Sequence, residues 1–195
     1  MSFFSFTSSR TKPAAPSLPG PQAVLDFWRD AGPERWFAKD EAFDEDFRSR
    51  FLPSHEAAAR GELMRWMGVA DSALALLLLL DQFPRNCFRG TPRMYATDAQ
   101  ALQLTQKALS AGYDTVVDKA LRVFFYLPLM HDENLGSQFR CLALCAPLGG
   151  APRRSSQEHY AVIEQFGRFP HRNAILGRTT TPEEQAFLDG GGFSG

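Results

Sequence analysis

Apolar residues along this chain recur at helical spacing, and nowhere do they alternate for long enough to mark a strand. Val24-Leu25-Asp26-Phe27-Trp28 reads as a short amphipathic helix ended by Ala31-Gly32-Pro33, with Trp36-Phe37 anchoring the turn that follows. Phe43, Phe47 and Phe51 stand at i, i+4 and i+8 behind Asp40, a helix cap. Acids crowd the start of that helix and Arg48 and Arg50 its end, the order the helix dipole favours. Pro53 is expected to end or kink it, with helical character resuming over Ser54–Arg60. Leu63, Met64, Trp66 and Met67 form a short apolar face. Asp71 or Ser72 is then expected to cap a central helix from Ala73 to about Phe83, whose leucines on every side imply burial all round. Pro84 is expected to stop that helix, because proline removes a backbone donor and its ring clashes with the preceding turn.

Thr91-Pro92 restarts the chain with a cap and a first-turn proline, and Thr97 or Asp98 caps a helix carrying Ala101, Leu104 and Ala108. A helix from about Thr115 is expected to end at Pro128, and His131-Asp132-Glu133-Asn134 opens one that runs to Pro147. Gly149–Arg154 reads as an internal loop. Ser155-Ser156-Gln157-Glu158 and Thr181-Pro182-Glu183-Glu184 both fit a capping box, and between them Tyr160, Ile163, Phe166 and Phe169 face inward. The fold expected is all-α, made of antiparallel helical hairpins. It divides into a disordered extension over 1–21, rich in Ser, Thr and Pro and free of acids, one helical domain over 22–189, and a flexible tail over 190–195.

Composition narrows the class. At 195 residues, 44% hydrophobic and 22% charged, the chain reads as one globular domain. A formal net charge of −1 gives no electrostatic footprint for nucleic acid or an anionic membrane, and the Ala73–Leu80 run is too short to span a bilayer. Three cysteines do not make a secreted disulfide framework, so a cytoplasmic location is expected. Signatures of P-loop, dinucleotide, G-x-S-x-G and C-x-x-C sites are all missing, and no cofactor is implied.

Two stretches stand out. Asp81-Gln82-Phe83-Pro84-Arg85-Asn86-Cys87-Phe88-Arg89-Gly90 has a cousin in Gly167-Arg168-Phe169-Pro170-His171-Arg172-Asn173, followed by Ile175-Leu176-Gly177-Arg178. Each places Phe-Pro near a helix end, then Arg-Asn, then Gly beside a second Arg. With Trp36-Phe37, Phe43-Asp44, Ala96-Thr97-Asp98, Leu127-Pro128-Leu129-Met130-His131, Gln138 and His159, these strings resemble a bacterial family known as domain of unknown function 924 (DUF924) over Val24 to Phe187. The resemblance implies a tetratricopeptide-repeat-like superhelical domain and carries no activity with it. The chain departs from the family pattern at Asp132, where a serine is usual, and at Tyr160, where an arginine is usual.

Guanidinium groups present a planar fork of donors suited to carboxylate or phosphate. If the two stretches face each other they make an anion-binding cleft for a small ligand or an acidic peptide end. Its candidate ligand-binding residues are Gln82, Arg85, Asn86, Arg89, Asp98, Arg168, His171, Arg172, Asn173 and Arg178. The catalytic candidates are His131 or His159 as base, with Asp81 or Glu133 as partner, acting on a phosphorylated or acidic substrate. The histidine spacing matches no metal-ligand motif. The competing reading is architectural: each arginine satisfies carbonyls at a helix end or pairs with Asp81 or Asp98, and the domain serves as a protein-interaction scaffold.

Overall fold

The computed structural model describes residues 17–193, and among these every regular element is helical. The expected N-terminal extension lies outside the described residues over 1–16, and Pro21 already opens a helix. The α-helices are α1 (Pro21–Ala31), α2 (Pro33–Trp36), α3 (Glu41–Ala59), α4 (Ala70–Leu77), α5 (Phe83–Cys87), α6 (Asp98–Ser110), α7 (Tyr113–Val116), α8 (Leu127–Met130), α9 (Leu135–Cys145), α10 (Gly150–Phe166) and α11 (Pro182–Asp189). Among the described residues no helix is long and apolar enough to cross a membrane.

The core is built around α4 and its continuation. Six leucines, Leu74 and Leu76–Leu80, are each at most 1% exposed, and burying each contributes about 1.5–3 kcal/mol. On one side α1 packs against α4 through Val24, Leu25 and Trp28. On another, α3 presents Phe43, Phe47 and Phe51 to Phe27 and Phe83, with ring centroids 5.0–5.4 Å apart for the pairs Phe27–Phe43, Phe27–Phe47, Phe27–Phe51 and Phe47–Phe83. A separate small core under α10 and α11 joins Val162, Ile163 and Phe169 to Phe166, Phe187 and Phe193.

Pro84 does not stop the central helix. The path runs from α4 through a wide π-turn, Leu78–Gln82, directly into α5. In that turn the Phe83 amide donates to the Leu78 carbonyl, one residue further back than in an α-helix. The widening relieves the clash a proline ring makes with the carbonyl four residues earlier. It also leaves carbonyls without helical donors, and side chains supply them. His55 Nδ1–H donates to Leu79 O at 2.9 Å, the Thr97 hydroxyl donates to Leu80 O, and Arg85 Nη1 donates to Asp81 O at 3.0 Å. The donors come from α3, from the residue before α6 and from α5 itself.

Other expectations are corrected in the same way. Pro53 does not end its helix: it lies inside α3, whose helical character continues to Ala59 as read. The central helix starts at Ala70 without a side-chain cap, because the Ser72 hydroxyl turns back to the carbonyls of Trp66 and Val69. Pro128 opens α8, and the region expected as one helix from Thr115 is a short α7 followed by a 3₁₀ stretch, Lys119–Phe125. Gly149 and Gly150, both with positive φ, let α10 begin five residues earlier than the expected Ser155 cap, so Gly149–Arg154 is no loop. Asn134 caps α9, and the Thr181–Glu184 capping box forms as read.

Thr97→Val keeps the shape of the side chain and removes the donor to the buried Leu80 carbonyl. It should lower the unfolding free energy by about 1–3 kcal/mol in urea titrations. An unchanged midpoint would show that the π-turn does not depend on this bond.

Candidate functional site

The π-turn turns Asp81 inward, and the site grows from its carboxylate. Asp81 Oδ1 accepts from His131 Nδ1 at 2.8 Å and lies 3.2 Å from Arg85 Nη1, while Oδ2 accepts from Gln82 Nε2 at 2.5 Å. Arg85 then forks onto Asp98, with Nη1–Oδ1 at 2.8 Å and Nη2–Oδ2 at 2.9 Å. Arg172 approaches the same carboxylate from the 3₁₀ turn Pro170–Arg172, with Nη1 3.8 Å from Asp98 Oδ2. Its guanidinium is sandwiched between Tyr95 and Phe169, at 4.7 and 4.4 Å from the ring centroids. His159 of α10 stands 6.2 Å from His131 and 5.5 Å from Phe169, ring centre to ring centre. His171 packs on the other side of the aromatic group, 5.6 Å from Phe169, and Phe193 fits between the two, 4.4 Å from His159 and 5.4 Å from His171.

The remaining predicted site residues belong elsewhere. Asn86 and Arg89 both donate to Asp44 on α3, at 2.6 Å and 2.9 Å. Arg168 forks onto Glu184 at 2.6 and 2.8 Å, and Asn173 Nδ2 reaches the same carboxylate at 3.0 Å. Glu133 accepts the Phe169 amide at 2.8 Å and a two-pronged contact from Arg178 at 2.6 and 3.0 Å. It is thereby spent on holding the second stretch in place, and the carboxylate partner of His131 is Asp81. The two stretches therefore share a plan: one arginine (Arg85, Arg172) points to Asp98, and the following asparagine is tied to a carboxylate that also holds a second arginine.

Tautomers follow from these partners. His131 donates Nδ1–H to a carboxylate, and His159 donates Nδ1–H to Ser155 O at 2.7 Å, so in each neutral ring Nε2 carries the lone pair. Burial would push the Asp81 carboxyl up, but Arg85, His131 and Gln82 together hold it well below the usual carboxylate range. Burial, reinforced by Arg85, lowers the His131 pKa against the pull of Asp81. His159 is lowered to about 3 by burial and by His131, and His171 to about 4 by burial and Arg172. Arg172 itself is lowered, first by burial and then by Arg85.

Arg172 is the anomaly. Its side chain is 9% exposed, yet among the described residues it makes no side-chain hydrogen bond, and its Nε is buried without a partner. Asp98, the carboxylate nearest to it, already has both oxygens taken by Arg85. His171 Nδ1 is likewise buried without a partner. Sequence reasoning missed Tyr95, Ser155 and Phe193 as members of this group and Asp44 and Glu184 as the anchors beside it. Only the two acids had a local signal, Asp44 in the Phe43-Asp44 pair and Glu184 in its capping box.

The described residues contain no group of three His, Cys, Asp or Glu side chains placed to hold a metal ion. A family profile described as a bacterial protein of unknown function (DUF924) matches residues 24–192, and the chain belongs to that family. It is similar to the solved structure of a protein of unknown function from Agrobacterium tumefaciens, with 53% identity and a TM-score of 0.86 over 87% of this chain and 97% of that one. No curated protein matches.

All four histidines have folded values below the ordinary 6.5. The unfolded chain therefore binds more protons, and stability present above pH 6.5 is lost as pH falls from there toward the folded values. Glu133 and Glu184, held below 4.5, lose their contribution only at lower pH. The melting temperature should fall between pH 7 and pH 5, before carboxylates titrate; a flat profile in that window would contradict the neutral, buried assignment.

Proposed function

We propose that this member of the DUF924 family binds a small anion at Arg172, in a site walled by Tyr95, Phe169, His131, His159 and His171. The observation that carries the reading is the Arg172 guanidinium: nine-tenths buried, charged, and without a hydrogen-bond acceptor among the described residues. A buried charge without a hydrogen-bonded partner is costly, and the Asp98 carboxylate at 3.8 Å and the Tyr95 and Phe169 rings compensate it only in part. An anionic oxygen completing the guanidinium would remove that cost. Arg85 supports the site indirectly: its two carboxylates neutralise it and leave Arg172 as the cation with unused donors.

A second reading is favoured by the Asp81–His131 pair. A buried carboxylate that fixes the imidazole tautomer and leaves Nε2 as a base is the arrangement used for general-base activation of water or a hydroxyl. On this reading the anion held by Arg172 is part of a substrate, and His131 takes the proton of the attacking nucleophile. Turnover of p-nitrophenyl phosphate that disappears in His131→Ala would support it, and turnover that survives would refute the assignment of the base.

Binding of inorganic phosphate, citrate and acetate can be followed by thermal shift and calorimetry. At least one should raise the melting temperature, as any ligand selective for the native state does. Arg172→Met should weaken that binding by tenfold or more, whereas Arg89→Ala, in the Asp44 anchor, should leave it unchanged. The ligand-free Arg172→Met protein should be at least as stable as the parent, on the order of 1 kcal/mol or more in its favour, because replacing a poorly paired buried charge by a methionine removes a desolvation cost. A marked loss of stability without ligand would identify Arg172 as architectural and overturn the proposal.

A further inference from the structure

The reading of the site as an anion pocket leaves open which anions it accepts, and the histidine tautomers bear on that. His131 and His159 have each committed their N–H, the first to Asp81 and the second to the Ser155 carbonyl. Each therefore presents a bare lone pair at Nε2, and among the described residues neither is met by a donor. The two rings are 6.2 Å apart, a span that one oxyanion can bridge, and both belong to the cluster in which Arg172 lies over Phe169. The pocket thus asks for two things at once. Arg172 offers donors and a positive charge and has a buried Nε without an acceptor, while the two imidazoles offer only acceptors at Nε2. The groups facing His131 are Asp81, Gln82 and Arg85 from the central helix, Asp98 from α6 and His159 from α10; those facing His159 are His131, Arg172 and His171.

Resting on the anion site proposed above, we infer that its ligand is an oxyanion that brings its own O–H, of which a hydrogen-phosphate group is the simplest. Such a group places an unprotonated oxygen on Arg172 and turns its hydroxyl hydrogen to His131 or His159 Nε2. A sulfate or a plain carboxylate has only acceptors at neutral pH, so its oxygens would face the imidazole lone pairs with no hydrogen between them. That is a repulsive contact between acceptors, with no donor to meet either. A metal cation would satisfy the two lone pairs, whose Nδ1 partners resemble those of metal-bound histidines. Among the described residues no group of three His, Cys, Asp or Glu side chains is placed to hold a metal ion, and the Arg172 guanidinium in the same cluster opposes a cation and favours the protonated anion.

The test compares inorganic phosphate with sulfate by calorimetry on the full chain at pH 7.5 in a buffer free of both. Phosphate should bind about tenfold or more tightly than sulfate, the discrimination expected when one buried acceptor is left unmet. Two further variants, His131→Gln and His159→Gln, carry amides that can donate where the imidazoles accept. At least one of them should admit sulfate and narrow the ratio while retaining phosphate binding and a cooperative melt. Phenyl phosphate, whose second ionisation lies at about pH 6, keeps an O–H at pH 5.5 and is compared with inorganic phosphate there: binding of both puts the group on an organic carrier, and binding of inorganic phosphate alone makes the free anion the ligand. Equal affinity for phosphate and sulfate, or a preference unchanged in both glutamine variants, would overturn the inference and leave the anion site standing. Failure of phosphate, sulfate, citrate and acetate alike would remove the anion site itself, and this inference with it.

Discussion

A missing amide hydrogen governs the middle of this protein. Pro84 sits in the most deeply buried helical path and cannot donate to the turn behind it, so the turn widens and its carbonyls need other donors. His55 and Thr97 reach them from α3 and from the start of α6, and Arg85 reaches the third from one turn further on. Two segments distant in the chain are thereby fastened, with the following turn, to three consecutive residues of backbone. The same widening swings Asp81 toward His131, so the proline that creates the structural demand also creates the place from which the polar cluster is assembled.

Charge is arranged around that place in layers. Asp81 and Asp98 neutralise Arg85, and the imidazoles of His131, His159 and His171 are kept uncharged by burial and by neighbouring cations. Arg172 is left without a side-chain hydrogen bond to any described group, its Nε buried and unpartnered. Around the cluster, Asp44 and Glu184 each bind an asparagine and an arginine from one of the two related stretches. Those anchors fix the backbone from which Arg85 and Arg172 extend and make no contact with the histidines themselves. The separation of anchoring from presenting residues explains why strings of polar side chains so alike in composition have such different neighbours.

Much of the fold was legible because helical spacing and caps are local. The Phe43, Phe47, Phe51 series, the Asp40 cap and the Thr181–Glu184 capping box can be read from a few consecutive residues. Proline was read too simply. Pro53 was expected to end or kink its helix and Pro84 and Pro128 to end theirs, yet Pro53 lies within a helix and Pro84 and Pro128 stand in the first turn of one. Whether a proline breaks a helix depends on what donates to the freed carbonyls, and donors such as His55 and Thr97 lie 24 and 17 residues away from their acceptors. Of the candidate site residues, the structure gathers Asp81, Arg85, Asp98, His131, His159, His171 and Arg172 into one cluster. Residue types could not separate these from Asn86, Arg89, Arg168 and Asn173, because the sorting is done by Asp44 and Glu184, whose positions depend on how α3 and α11 pack.

The aromatic residues are divided unevenly between the two cores. Trp28 and Trp36 are stacked among Phe43, Phe47 and Phe124, and Trp66 is buried beside α4, while the polar cluster has Tyr95, Phe169 and Phe193 and no indole. Intrinsic indole emission is therefore a gauge of the large core alone. It will follow the unfolding of that core and be insensitive to local changes among the polar side chains.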